Sequence, residues 1–163
     1  MNIIKNITKL AKDKNVICFF DMDGTCVEYG INERPKLLAN EPNFFINKRP
    51  LRSIVKKMKK LSKTKNVTVK ILSNCYFDEQ RADKISWLKQ HASFIKPENI
   101  NIIVLNNESY TPRTKDNLKP NRIKSIVDSK SEIFMFEDDH GVMRATVKML
   151  PNVHVCHVSC LID

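Results

Sequence analysis

Five short apolar runs, set apart by stretches with helical spacing, constrain this chain most. They are Val16-Ile17-Cys18-Phe19-Phe20 and residues 67–72, 100–105, 133–136 and 153–158. A continuous apolar run this short is the pattern of a strand buried on both faces. Helical periodicity fills the gaps. Leu51, Ile54, Val55, Met58 and Leu61 share one face, with lysines opposite and Pro50 just before them. Residues 79–91 read as a second helix with Ala82, Ile85 and Leu88 inward. Residues 121–129 read as a third, carrying Ile123, Ile126 and Val127. Residues 142–150 read as a fourth, stopped by Pro151. Ile3, Ile4, Ile7 and Leu10 add an amphipathic helix ahead of the first strand. Strand and helix in alternation predict an α/β fold, a parallel sheet wrapped on both faces. The length of 163 residues suits one domain, taken as 1–163.

Other classes drop out on composition. No apolar run reaches the length of a membrane span. Lys5, Lys9, Lys12, Asp13 and Lys14 interrupt the first fifteen residues, so no signal peptide is expected. Five cysteines in no regular framework predict free thiols and a reducing, cytoplasmic setting. The net charge of +10 comes from lysine more than arginine. Read along the chain it looks dispersed, as in Lys56-Lys57 and Lys59-Lys60. Such a surface attracts phosphate-rich partners, and nucleotides, nucleic-acid ends or anionic lipids would all suit it. His154, Cys156, His157 and Cys160 match no common zinc spacing and lie in strand-like sequence.

In parallel sheets ligands bind beyond the carboxyl ends of the strands. The residues that follow the apolar runs therefore converge. They are Asp21, Asp23, Gly24 and Thr25 after the first run, Ser73 and Asn74 after the second, and Glu137, Asp138 and Asp139 after the fourth. Lys115 and Lys119 stand before a helix that leads to the fourth run. Hard carboxylate oxygens of this kind suit Mg²⁺, with Asp21 and Asp138 on neighbouring strands and a backbone carbonyl of the Asp21–Asp23 loop as a third ligand. Three adjacent acids repel one another, and a cation relieves that. A carboxylate at Asp21 is a nucleophile for a phosphate ester. Asp23, two residues on, is placed for general acid–base work. Ser73 and Lys119 would bind the transferring phosphoryl oxygens, with Gly24, Thr25 and Asn74 beside them.

The ordered set resembles the haloacid dehalogenase superfamily of phosphohydrolases. Phe19-Phe20-Asp21-Met22-Asp23-Gly24-Thr25 matches its first motif fully. Leu72-Ser73-Asn74 resembles the second, Lys119-Pro120 the third, and Phe134-Met135-Phe136-Glu137-Asp138-Asp139 the fourth. The resemblance implies a Rossmann-like three-layer sandwich with a five-stranded sheet of order 5-4-1-2-3. It also implies Mg²⁺, Asp21 as nucleophile and Asp23 as acid and base. Asp23 favours phosphoester hydrolysis over dehalogenation or ATP-driven transport. Lys119 is preferred to Lys115 for the phosphate, because Pro120 suits a first helical turn. Among the acids Asp138 is preferred for the metal, Asp139 next, and Asp21 and Asp23 complete the expected metal set. The stretch Asp83-Lys84-Ile85-Ser86-Trp87-Leu88 resembles the deoxyribonucleotidase-like branch.

Residues 26–50 are too few for a large cap domain and predict a small cap or lid. Tyr29, Arg34, Phe44, Phe45, Lys48 and Arg49 within them pair aromatics with cations, as a nucleotide site would. The expected function is a Mg²⁺-dependent phosphatase with a nucleoside monophosphate as favoured substrate. The alternatives are a larger substrate, such as a nucleic-acid 3′-phosphate or a phosphoprotein, or a non-catalytic nucleic-acid-binding module.

Overall fold

A computed structural model describes residues 2–30, 43–105, 111–128 and 130–162. Its strands are β1 (Val16–Phe20), β2 (Val67–Cys75), β3 (Ile100–Val104), β4 (Glu132–Glu137) and β5 (Val153–His157). Its α-helices are α1 (Ile3–Leu10), α2 (Arg52–Ser62), α3 (Asp78–His91), α4 (Pro112–Asp116), α5 (Leu118–Ile126) and α6 (His140–Met149). The strands form one parallel sheet in the order β3-β2-β1-β4-β5, which is the expected order 5-4-1-2-3 read from the other edge. Phe20 lies between Ile71 and Phe136 in register, so the ends of β1, β2 and β4 stand side by side.

Alternation along the strands makes two cores. Cys18 and Phe20 point to one face and pack with Ile4, Ile7, Ile54, Met58 and Trp87 from α1, α2 and α3. Phe19 points to the other and packs with Ile123 and Val142 from α5 and α6. Phe20 and Phe136 stack across the β1–β4 boundary with ring centroids 4.5 Å apart.

Three elements differ from the sequence reading, each for a local reason. β2 runs on through Ser73, Asn74 and Cys75, because the edge strand β3 begins only opposite Ile71 and extends the ladder. Ser73 and Asn74 are thus in the strand rather than after it. The helix expected at 121–129 starts at Leu118, with Lys119 and Pro120 in its first turn, where a missing N–H costs nothing; residue 129 lies outside the described residues. On α3 the buried face is Gln80, Lys84, Trp87 and Leu88, while Ala82 is exposed and Ile85 half-buried. Polar groups hold that inward face: Gln80 Oε1 accepts from the Tyr76 amide at 2.9 Å, and Lys84 reaches the strand ends.

Of the expected lid, residues 31–42, including Arg34, lie outside the described residues. Phe45 is buried, and the Trp87 indole Nε1 donates to the Lys48 carbonyl at 2.8 Å. This bond ties the segment to α3. Among the described residues no helix is long and apolar enough to cross a membrane.

Candidate active site

The loop after β1 is wound tightly around one carbonyl. The amides of Thr25, Cys26 and Val27 all donate to Met22 O, at 3.1, 2.9 and 2.9 Å. The turn needs Gly24 at φ +72°, a left-handed conformation costly for other residues. Space demands glycine as well, since a Cβ there would lie 2.0 Å from Asp138 Oδ2. The Asp21 amide donates to Phe136 O at 3.1 Å, which seats the loop on the end of β4.

Two lysines organise the acids that result. Lys119 Nζ lies 2.7 Å from Asp21 Oδ1 and 2.7 Å from Glu137 Oε2, with all three side chains buried. Burial alone would lower the Lys119 pKa. The Asp21 and Glu137 charges outweigh burial and raise it, so the ammonium stays charged. Burial pushes Glu137 upward, and Asp21 adds to this. The same two causes raise Asp138. The other Glu137 oxygen, Oε1, accepts from the Asp138 and Asp139 amides at 3.3 and 3.2 Å. Both Glu137 oxygens are therefore engaged.

The second lysine is Lys84, fully buried on α3. Its Nζ lies 2.5 Å from Asp23 Oδ2 and donates to Ser73 Oγ at 2.9 Å and Asn74 O at 2.8 Å. The sequence reading gave Lys84 no role. The other Asp23 oxygen, Oδ1, is buried without a partner among the described residues, as is Asn74 Oδ1. Buried polar atoms are rarely left so. Both residues line the cavity of the site.

The remaining expected residues divide. Thr25 is buried, with Oγ1 3.5 Å from Asp138 Oδ1. Asp139 Oδ1 accepts from the Gly141 and Val142 amides at 2.7 and 3.3 Å, so this carboxylate caps α6. Lys115 Nζ stands 3.5 Å from the Tyr76 hydroxyl and 5.5 Å from its ring centre, and both residues line the site. A cavity of about 220 Å³ joins these groups, with Tyr29, Phe45 and Tyr76 among its walls.

The donor set fits a hard divalent cation. Asp21, Glu137 and Asp138 bring carboxylate oxygens within 4.8 Å of one another. One buried ammonium faces three acids there, an imbalance that a cation would correct. Because Glu137 is held by Lys119 and two amides, Asp21 and Asp138 are the carboxylates best able to turn to a metal.

No family model matches the sequence, and neither does any curated protein. Solved structures do match. A chain of the Pnkp1/Rnl/Hen1 RNA repair complex aligns with a TM-score of 0.68 at 14% identity, over 88% of this chain and 42% of its own length. A second structure of the Pnkp1/Rnl/Hen1 complex gives 0.67 at 13% identity, over 89% and 46%. This chain thus spans less than half the length of those two chains. The HAD domain of the effector protein Lem4 from Legionella pneumophila aligns with a TM-score of 0.51 at 15% identity, over 88% of this chain and 86% of that domain. Sheet order, the site at the strand ends and these likenesses agree: the chain has the fold of a HAD domain.

Proposed function

We propose that the protein is a Mg²⁺-dependent phosphatase that forms an aspartyl-phosphate on Asp21. The observation that carries this is the pairing of two differently held aspartates in one loop. Asp21 is clamped at one oxygen by Lys119, and Asp23 is held at one oxygen by Lys84 with its other oxygen unpartnered. Asp21 attacks phosphorus as the ester bond breaks, and Asp23 delivers a proton to the leaving alkoxide. Asp23 then takes a proton from water as water attacks the aspartyl-phosphate, returning Asp21 and releasing inorganic phosphate. Lys119 and Ser73 bind the phosphoryl oxygens, with Gly24, Thr25 and Asn74 shaping the pocket around them. Mg²⁺, held by Asp21, Asp138 and a backbone carbonyl of the Asp21–Asp23 loop, would supply charge to offset that of the phosphate.

The aromatic walls Tyr29, Phe45 and Tyr76 support a nucleoside monophosphate as substrate, since a base stacks on such rings. In this reading residues 26–50 act as a small lid within a single hydrolase domain. The five free thiols agree with a cytoplasmic setting. A second reading, a nucleic-acid 3′-phosphate, is favoured by the likeness to a chain of an RNA repair complex.

Hydrolysis of p-nitrophenyl phosphate in Mg²⁺ tests the reaction. Turnover is expected in the native chain and none in Asp21→Asn. Turnover unchanged in that variant would sink the mechanism. A panel of nucleoside monophosphates and 3′-phosphorylated oligonucleotides separates the two substrate readings.

A further inference from the structure

The positive charge is not dispersed once it is counted by structural element. Residues 1–15 and 52–66 hold eleven lysines and arginines and one acid, Asp13. The rest of the chain holds seventeen basic and seventeen acidic residues. The entire net charge of +10 therefore belongs to α1, α2 and the turns that follow them. A compositional preference for lysine would have raised the count everywhere.

The fold brings these two segments together. α1 and α2 pack on the same face of the sheet through Ile4, Ile7, Ile54, Met58 and Leu61. Their opposite faces carry the cations. Lys5, Lys9, Lys12, Arg52, Lys56, Lys59, Lys60, Lys63 and Lys65 are all exposed, and none pairs with an acid among the described residues. By contrast, Lys14 is bridged to Glu132, and Lys57 donates to the Leu161 carbonyl. Uncompensated like charges crowded on two short helices cost stability, as pairs one turn apart repel. A polyanion repays that cost.

We propose that the α1–α2 face binds the sugar–phosphate backbone of nucleic acid. Three observations select this partner over an anionic membrane surface. First, the apolar residues of both helices are spent on the core, so the face has no wedge for a bilayer. Ile162 is the one large exposed hydrophobic at its border among the described residues, and charge alone holds a membrane weakly. Second, the cations form a row along α2, whose eleven residues span about 16 Å. Third, that row leads to the phosphate site. The Leu51 amide, at the head of α2, donates to Cys26 O at 2.9 Å, and Cys26 belongs to the Asp21 loop. A strand lying along α2 would have its end near the pocket. Binding along the row needs no turnover, so it stands apart from the proposed reaction.

The test measures fluorescence anisotropy of a labelled single-stranded oligonucleotide without a terminal phosphate, against Asp21→Asn protein over a series of salt concentrations. Affinity should fall steeply with salt, by about 0.7 in the log–log slope for each phosphate neutralised. Replacing Lys56, Lys59, Lys60 and Lys63 together by Gln should weaken binding at least about tenfold and flatten the slope by about three. Lys5, Lys9 and Lys12 changed to Gln on α1 should act in the same direction, which guards against a local fault in α2. The matched control replaces Lys89, Lys96, Lys124 and Lys148, all exposed and outside the face. It should change affinity less than about twofold. Equal weakening by control and α2 variants would overturn the proposal, since net charge and not this face would then be responsible. So would capture by vesicles containing anionic phospholipid with no oligonucleotide binding, or no oligonucleotide binding at low salt.

Discussion

Lys84 Nζ lies 2.5 Å from Asp23 Oδ2, and the same nitrogen bonds Ser73 Oγ and the Asn74 carbonyl. One fully buried ammonium thus orients the proposed proton donor and a proposed phosphate-binding hydroxyl together. Lys84→Met removes that anchor and frees Asp23 to rotate. On the proposed mechanism kcat should fall by about 100-fold, within the usual worth of a positioned acid–base group. Mg²⁺ binding, which does not involve Lys84, should be unchanged. Steady-state kinetics beside Mg²⁺ titration calorimetry checks both, and a kcat within threefold of the native value would remove Lys84 from the mechanism.

Lys119 sits between two acids, so its loss exposes their mutual repulsion. Lys119→Met should destabilise the fold by about 3–5 kcal/mol, the usual result of stranding a buried charge. Adding Glu137→Gln should recover part of that loss, because one of the two stranded charges disappears. Urea denaturation of both single variants and the double variant gives the coupling directly. Additive losses would mean that the buried pair does not interact as described.

The acid cluster at Asp21 and Asp138 should make folding sensitive to Mg²⁺. At about 100 times its Kd, Mg²⁺ should stabilise the native chain by about 2.7 kcal/mol through mass action. Asp138→Asn should lose most of this response, and its metal-free stability should equal or exceed that of the native chain, because one repelling charge is gone. Thermal unfolding in EDTA and in Mg²⁺ reads both quantities. A Mg²⁺ response undiminished in Asp138→Asn would place the ion elsewhere.

Away from the site, Glu132 is clamped by Lys14 and His154. The Lys14 hydrogen bond and then the His154 one lower its pKa below the ordinary glutamate value. A carboxylate with a depressed folded pKa adds stability above its unfolded value and loses it as pH falls through the folded one. Glu132→Gln should therefore be less stable than the native chain at neutral pH, and the gap should close below about pH 4. The side chains are partly exposed, so the gap should be no more than about 1 kcal/mol. Chemical denaturation of the two proteins across pH checks this, and a gap that persists in acid would contradict the clamp.

Much of this was open to reading from the residues because buried parallel strands announce themselves. Val16 to Phe20 and Ile133 to Phe136 need apolar side chains on both faces, and the acids that follow them have nowhere to go but the strand ends. What escaped was polar burial. α3 turns Gln80 and Lys84 inward ahead of Trp87 and Leu88, and an apolar-periodicity argument places its inward face at Ala82 and Ile85 instead. The usable signal was a mismatch: Trp87 and Ala82 cannot share a helical face, so one of them had to be out, and the larger ring claims the core. Similarly, the length of β2 depends on where its edge partner begins, which is a property of register and not of the strand's own residues.

The bond from Trp87 to the Lys48 carbonyl has an optical consequence. Trp87 is the chain's single tryptophan, so all indole emission comes from one buried ring joined to Lys48, within the segment proposed as a lid. Any motion of that segment which strains or breaks the bond would change the hydrogen bond of the indole N–H. The protein therefore carries an intrinsic reporter at the root of the segment proposed to cover the pocket, readable in the unlabelled native chain as substrate is added.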